Sequence, residues 1–260
     1  MVLVGLVAGI AALTKRRTRQ ENRTEPEAAG TKPRKRVLML LENARFEDDP
    51  RVRNEARALT EAGYDITVIC PGMWGDPIHE VLDNVRIYRY SAPRDGSGTL
   101  GYLFEYGYSL AAIAVLSLYV RLRHGFDFVH AHNPPDVLAL IAAAYRPFGA
   151  RVIFDHHDLA PEMYLARFGD SGRSWLYRAQ SLAEFLACRL AHHVITSNES
   201  YKRREMELSG IPPERITVVR NGPDPDQWKP VDPDPDLRAR SKAIIGYAGV
   251  IGQQDGVDYL

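Results

Sequence analysis

Apolar and polar positions alternate along the chain in two different patterns. Short apolar runs, typical of strands buried in a parallel sheet, are separated by longer stretches whose apolar residues recur at helical spacing. The apolar runs predict strands at residues 37–41, 65–70, 85–90, 126–132, 152–154, 193–197 and 216–219. The amphipathic stretches predict helices at residues 50–62, 99–123, 137–145, 174–192 and 199–208. This alternation predicts an α/β domain with a doubly wound, Rossmann-like parallel sheet.

Capping residues define the first strand-helix-strand unit. Asp49 and Pro50 suit the N-cap and the first position of a helix, and Gly63 suits its end. The short connections on either side favour a right-handed parallel crossover. The loop at residues 42–46 contains no glycine, so its backbone cannot approach a pyrophosphate closely. A nicotinamide or flavin enzyme is therefore disfavoured.

Composition divides the chain into four segments. Residues 1–35 form an apolar-basic tail followed by a polar linker, and residues 36–228 form the α/β domain. Residues 229–242 are rich in aspartate and proline and are predicted to be an interdomain linker. Residues 243–260 start again with a strand-like run and a glycine turn. They are too few to bury a core, so we interpret them as the truncated start of a second Rossmann-like domain.

The N-terminal tail leaves several interpretations open. It is apolar through Leu13 and basic at Lys15, Arg16, Arg17 and Arg19. The apolar part is shorter than the roughly 20 residues that span a bilayer, and a secretory signal would place its basic residues first. An apolar segment followed by basic residues suits peripheral contact with the inner face of the plasma membrane. A flexible tail and a wrongly chosen start codon are the alternatives.

Charge and cysteine content narrow the functional class. Lys+Arg and Asp+Glu both number 33, so no net basic field attracts nucleic acid, and we predict no nucleic-acid partner. Cys70 and Cys188 form no CxxC pair and lie in apolar stretches, which is typical of buried thiols. A reduced, cytoplasmic location follows.

Titratable residues cluster where the apolar run Val152–Phe154 gives way to Asp155-His156-His157-Asp158. In open α/β sheets, ligands bind beyond the carboxyl ends of the strands, which makes this cluster a candidate reaction site. Capping of the next helix is the alternative. His130 and His132 share one strand face, but no HExxH motif or cysteine ligand accompanies them. We therefore predict no metal site.

Six separated segments of the chain resemble one protein family when they are taken in order. They are DPRVRNEARALTEAGYDITVICP, FDFVHAHNPPDVL, RVIFDHHDLAPE, HHVITSNES, ERITVVRNGPD and IIGYAGVIGQQDGVDYL. Together they are similar to the N-terminal part of a family 4 glycosyltransferase, whose architecture, called GT-B, has two Rossmann-like domains. The last segment resembles the first strand and glycine loop of that family's donor domain.

The resemblance implies transfer of a sugar from a nucleotide-sugar to a saccharide or lipid-linked acceptor, with retention of anomeric configuration. Such transfer serves polysaccharide or glycolipid assembly. The N-terminal domain would hold the acceptor, and residues 243–260 would begin the nucleotide-sugar-binding domain. The nucleotide-sugar is a co-substrate, and neither a cofactor nor a metal is implied, because positive side chains and backbone amides stabilise the leaving diphosphate.

The resemblance also assigns candidate site residues. His157 fits the family histidine near the reacting sugar, with Asp155 and Asp158 as flanking catalytic partners, while Gly249 and Gly252 fit the donor side. The remaining candidates are, on the acceptor side, His132, Asn133, Arg51 and Glu162 and, on the donor side, Asn221.

Several of these assignments have structural alternatives. His132 and Asn133 end a strand and could serve a purely structural role. Arg51 could meet an acidic acceptor or be a solvated first-turn charge. Asn221 could simply form a turn with Gly222.

Two other functions are compatible with the same segments. A nucleotide-sugar epimerase uses the same architecture, and a non-catalytic acceptor-binding or membrane-associated protein could work with a separate donor domain. The sequence lacks the family's later donor elements, namely a basic residue for the diphosphate and a glutamate pair. We therefore expect the chain by itself to be inactive in transfer.

Overall fold

The computed structural model describes residues 33–92, 99–168, 175–222, 229, 231–240 and 243–246. Eight strands in this part of the chain form one sheet, in the order β3-β4-β2-β1-β5-β6-β7-β8. The strands are β1 (Arg36–Leu40), β2 (Asp65–Gly72), β3 (His79–Leu82), β4 (Val85–Ser91), β5 (Phe128–His132), β6 (Arg151–His156), β7 (His193–Thr196) and β8 (Ile216–Val218). All neighbours pair in parallel except β3, which is antiparallel to β4.

In the described ranges, six helices lie between these strands in the chain, and a seventh follows β8. They are α1 (Pro50–Glu61), α2 (Thr99–Arg123), α3 (Leu138–Ala143), α4 (Ala160–Phe168), α5 (Trp175–Leu190), α6 (Glu199–Ser209) and α7 (Pro235–Arg240), with 3₁₀ turns at Arg146–Phe148 and Pro213–Arg215. None of the helices within the described ranges is both long and apolar enough to cross a membrane.

Side-chain capping places the helix ends close to where the sequence predicts them. The Asp49 carboxylate accepts hydrogen bonds from the amides of Arg51 and Val52 at the start of α1. Gly63 follows α1 with a φ of 87°, a left-handed conformation that strains other residues. Capping therefore fixes where the first crossover leaves and rejoins the sheet.

The hydrophobic core occupies both faces of the sheet. Alternate residues of β1 point to opposite faces, so Leu38 and Leu40 join one buried cluster and Val37 and Met39 join the other. Val52 of α1 packs in the second cluster, whereas the first includes buried residues of α2, α3 and α5. Burial on both faces explains why the central strands read as continuous apolar runs.

The structure corrects several sequence-based expectations. The edge strand β3 and the helix α4 were not predicted, because neither carries a clear apolar period. Strand β6 continues through Asp155 and His156 rather than ending at Phe154. Residues 243–246 belong to no strand, contrary to the strand-like pattern, and a parallel strand requires a paired neighbour to form.

The end segments extend largely beyond the described residues. Residues 1–32 and 247–260 lie outside them, and with them the membrane-contact prediction, Gly249 and Gly252. In the predicted linker, residues 231–240 are exposed and include α7. The interdomain role of this segment stays a prediction.

Candidate active site

The candidate site lies at the carboxyl ends of β5 and β6. Strands β1, β2 and β4 follow one another toward one edge of the sheet, and β5 to β8 follow one another toward the other edge. The strand order therefore reverses between the parallel neighbours β1 and β5. Such a reversal opens a crevice outside the carboxyl ends of the strands, where open α/β sheets bind ligands. His132 ends β5 next to this reversal, and His157 follows the last residue of β6.

Asn133 joins the two loops that form the floor of this crevice. Its Oδ1 accepts hydrogen bonds from the amides of His157 (2.8 Å) and Asp158 (3.1 Å). Its Nδ2 donates to Asp136 Oδ1 (2.9 Å) and to the main-chain oxygen of Asp158 (2.6 Å). Asn133 is fully buried, so all four hydrogen-bonding sites of its amide are satisfied by protein. The bonds fix where the backbone of His157 and Asp158 lies.

His157 is held on both sides of its ring. Its Nδ1 lies 3.1 Å from the Nδ2 of Asn221. An amide nitrogen can only donate, so Nδ1 is the accepting atom and the neutral ring carries its proton on Nε2. Nε2 lies 2.6 Å from Asp155 Oδ1, a charge contact that is not aligned as a hydrogen bond. The structure thus brings together His157, Asp155 and Asn221, which the sequence assigned to different parts of the site.

Asp155 is completely buried beneath His157. Neither of its carboxylate oxygens has a hydrogen-bond partner among the described residues. Its closest cationic or imidazole neighbours are His157 and His132, whose Nε2 lies 4.0 Å from Asp155 Oδ2. A buried carboxylate without hydrogen bonds is costly, so its neighbours must supply positive charge.

His132 forms a buried ion pair with Glu55 of α1. Its Nδ1 donates to the oxygen of Leu40 (3.3 Å), and its Nε2 lies 3.0 Å from Glu55 Oε2. Both ring nitrogens face acceptors, so the ring is an imidazolium. Burial opposes this charge most strongly, but the hydrogen bond to Glu55 and the negative charges of Glu55 and Asp155 together outweigh burial and raise the pKa of His132. Burial likewise opposes ionisation of Glu55, yet His130 and His132 lower its pKa to about 2.

His130 completes this group below the crevice. Its ring lies against that of His132, with centroids 4.1 Å apart and ring planes tilted by 34°. Burial, followed by the charge of His132, lowers the pKa of His130 to about 4, so its imidazole is neutral at pH 7. Glu55, His130, His132 and Asp155 each offer a ligand atom, and these atoms lie within 4.8 Å of one another. Within the part of the chain that the structure describes, these four side chains could hold a metal.

Sequence reasoning did not identify Glu55. A signal was present, because Val52, Glu55 and Ala56 share one face of α1 and Val52 and Ala56 are buried. A carboxylate on the apolar face of a helix requires a partner in the core. That partner is 77 residues away in sequence, and only the fold shows it.

Arg51 points toward the same site. Its guanidinium bonds to Asp49 (2.8 Å), and its side chain is only 16% exposed. Burial opposes its charge, but Asp49 outweighs burial and raises its pKa, with further contributions from Asp155 and Asp158. Arg51 is therefore not a fully solvated charge, because its mostly covered side chain supplies positive charge beside the crevice.

His156 and Glu162 belong to a second cluster on the other face of the sheet. The His156 ring stacks on Phe154, and its Nδ1 lies 2.9 Å from Glu205 Oε1. Burial opposes its protonation, but the bond to Glu205 raises the pKa of His156. Glu162 pairs with Arg204 instead of joining His157. This cluster links β6 to the helices behind it, so Glu162 is not brought together with the other candidates.

A family comparison complements this geometry. Residues 49–222 match the family described as "Glycosyl transferase 4-like domain". The chain belongs to this family. The matched residues include every described candidate, from Arg51 to Asn221. The family and the Rossmann-like α/β fold inferred from the sequence are confirmed.

Two curated proteins illustrate the similarity in sequence. The chain is 22% identical over 207 residues to chitobiosyldiphosphodolichol beta-mannosyltransferase of Candida glabrata, covering 78% of this chain and 45% of that protein. It is 26% identical over 194 residues to alpha-maltose-1-phosphate synthase of Mycolicibacterium smegmatis, covering 69% of this chain and 48% of that protein.

The solved sucrose-phosphate synthase from Thermosynechococcus elongatus shares the fold, with a TM-score of 0.60, 19% identity and coverage of 80% of this chain and 52% of that one. The chain thus spans about half the length of the curated relatives it matches.

Proposed function

We propose that this protein takes part in transferring a sugar from a nucleotide-sugar donor to a saccharide or lipid-linked acceptor, with retention of configuration. The observation that carries the proposal is the placement of His157 at the crevice, held by Asp155, Asn133 and Asn221. Membership of the glycosyl transferase 4-like family gives this arrangement its chemical interpretation. The described domain would form the acceptor side of the site, and residues 243–260 would begin the donor side.

In this proposal His157 orients a hydroxyl or stabilises charge near the anomeric centre of the sugar. Its Nδ1 accepts a hydrogen bond from Asn221, which is exposed. A sugar hydroxyl can donate to the same nitrogen, so substrate can replace Asn221 there without a change of tautomer. Asp155 Oδ1, 2.6 Å from Nε2, holds the ring from beneath in this arrangement.

The guanidinium of Arg51 supports an anionic or phosphate-bearing acceptor. Arg51 lies beside the crevice, and a guanidinium binds phosphate with directed hydrogen bonds. The transfer step itself requires no metal in this proposal. A cytoplasmic protein whose residues 1–19 contact an anionic membrane would meet a lipid-linked acceptor at its surface.

The test compares His157→Ala with the parent in the complete gene product. We expect the variant to lose transfer by at least about 100-fold, the lower range for a positioned acid-base group, with donor affinity nearly unchanged. Nucleoside diphosphate release and labelled product are measured over a panel of nucleotide-sugars and acceptors, and the anomeric configuration of the product is read by NMR.

His193→Ala is the matched control, because His193 lies at the opposite, amino end of β7 and contacts Thr217 at the surface. Unchanged turnover in His157→Ala would contradict the role of His157. Epimerised sugar formed without any acceptor would replace the transferase proposal with an epimerase. Transfer that appears only when a separate donor domain is added would favour a non-catalytic acceptor-binding protein.

A further inference from the structure

Four side chains beneath the crevice, three of them buried and one, Glu55, partly exposed, converge from three elements of the fold. Glu55 comes from α1, His130 and His132 from β5, and Asp155 from β6. Glu55 Oε2 lies 3.0 Å from His132 Nε2 and 3.6 Å from His130 Nδ1. Asp155 Oδ2 lies 4.0 Å from His132 Nε2. Four ligand atoms around tetrahedral Zn²⁺, with bonds of about 2.0–2.1 Å, are separated by about 3.3 Å. The three separations bracket that spacing.

The surroundings of these side chains are those of a metal site. The His132 Nδ1 donates to the main-chain oxygen of Leu40, which is the outer bond that orients a metal-binding imidazole. Asp155 is completely buried, and both its oxygens lack hydrogen-bond partners among the residues with described positions. These unsatisfied oxygens are the second observation, besides proximity, that points to a ligand.

Charge balance favours a divalent ion over protons alone. Glu55 and Asp155 bring two negative charges into a buried site, and two neutral imidazoles bring none. One divalent cation neutralises the pair of carboxylates, whereas a single imidazolium at His132 leaves one carboxylate dependent on the more distant charge of Arg51 and on His157. A donor set of two nitrogens and two oxygens suits Zn²⁺ and similar first-row ions.

We propose that Glu55, His130, His132 and Asp155 bind one divalent transition-metal ion, for which Zn²⁺ is the best-fitting probe. On binding, the Nε2–H bond of His132 breaks, a bond between Nε2 and the metal forms, and one proton leaves to solvent. The ion would join α1 to β5 and β6 and hold Asp155 in place beneath His157. The role is positional and separate from the sugar-transfer step.

The first experiment uses the full chain without an affinity tag that contains histidine. The protein is treated with chelator, dialysed and titrated with Zn²⁺, and bound metal is counted by mass spectrometry after gel filtration. We expect one Zn²⁺ per chain. Co²⁺ in place of Zn²⁺ should give the strong visible absorption of a four-coordinate site with nitrogen and oxygen ligands. Absence of bound Zn²⁺ and of this Co²⁺ spectrum in the folded parent would overturn the proposal, whatever the variants do.

Variants then locate the ion. Glu55→Gln keeps the size of the side chain and a hydrogen-bonding oxygen, and it should weaken Zn²⁺ binding by more than about 100-fold, the upper range for outer-shell changes. His193→Gln removes a surface histidine beside His192 and should leave binding unchanged. If His193→Gln abolishes the bound ion and Glu55→Gln does not, the ion is at the surface and the proposal fails. None of these readouts depends on transferase activity, so their failure is distinct from failure of the proposed function.

Discussion

The replacement Asn133→Ala tests whether one buried amide holds the floor of the crevice together. The substitution removes four hydrogen bonds. Two of them are fully buried: the bond donated by the His157 amide and the bond accepted by the Asp136 carboxylate. The other two involve Asp158, which is half-buried and can be reached by water. The cost is therefore set mainly by the two groups left buried without a partner.

The magnitude follows from those two groups. Leaving a buried polar group unsatisfied costs about 1–3 kcal/mol, so two groups give about 4 kcal/mol. The Asp136 carboxylate is affected most, because burial already raises its pKa and the substitution removes the hydrogen bond that Asn133 donates to it. Against a typical stability of about 5–15 kcal/mol, such a loss would be large.

Urea unfolding followed by circular dichroism measures the loss directly. With a slope of about 2 kcal/mol per molar urea, Asn133→Ala should lower the midpoint by about 2 M. The matched control is Asn54→Ala, because Asn54 is exposed on α1 and only accepts a surface bond from Arg57. Alanine favours helices, so this control should not destabilise the protein.

Two outcomes would refute the reasoning. A loss below about 1 kcal/mol for Asn133→Ala would mean that water replaces the lost bonds. An equal loss in Asn54→Ala would mean that the effect is not specific to the crevice. Asn133→Asp adds a further check, since its carboxylate would lie beside Asp136 and should be better tolerated in acid than at pH 7.

Two further predictions concern the first helix and the N-terminal tail. Asp49→Ala removes the N-cap of α1 and should cost about 1 kcal/mol at pH 7, while Asp49→Asn keeps an accepting oxygen and should cost less. Burial opposes ionisation of Asp49, but the hydrogen bond and charge of Arg51 outweigh burial and lower the pKa of Asp49. The ionised cap therefore stabilises the fold fully at pH values above the ordinary pKa of aspartate. This contribution is lost as pH falls through the lowered value. Urea midpoints should therefore show a gap between parent and Asp49→Ala that narrows in acid, and a constant gap would contradict the assignment. Deleting residues 1–19 should reduce sedimentation with anionic vesicles in low salt but not with neutral ones; equal sedimentation with and without the segment would exclude membrane contact there.

The sequence by itself determined the alternation of strands and helices and the ends of the best-capped helices. Apolar period and capping act between residues close in sequence, so they can be read locally: residues 50–62 and 199–208 were predicted within two residues of α1 and α6. Ordered short motifs also placed the chain in its family. Strand β3 could not be predicted in this way, because an edge strand of four mostly half-buried residues has little apolar pattern.

The tertiary structure decided which polar residues form the site. His157, Asp155 and Asn133 could be proposed because polar residues at strand ends meet at one edge of a parallel sheet. Neither the partner of each group nor its protonation was in the sequence, since both depend on contacts across tens of residues. Glu55 is the clearest case: on α1 it is one more helical carboxylate, and only the fold, which brings it to the end of β5, makes it the counter-ion of His132. Burial then turns that contact into a strong electrostatic constraint, because charges removed from water must be neutralised by what the fold brings to them.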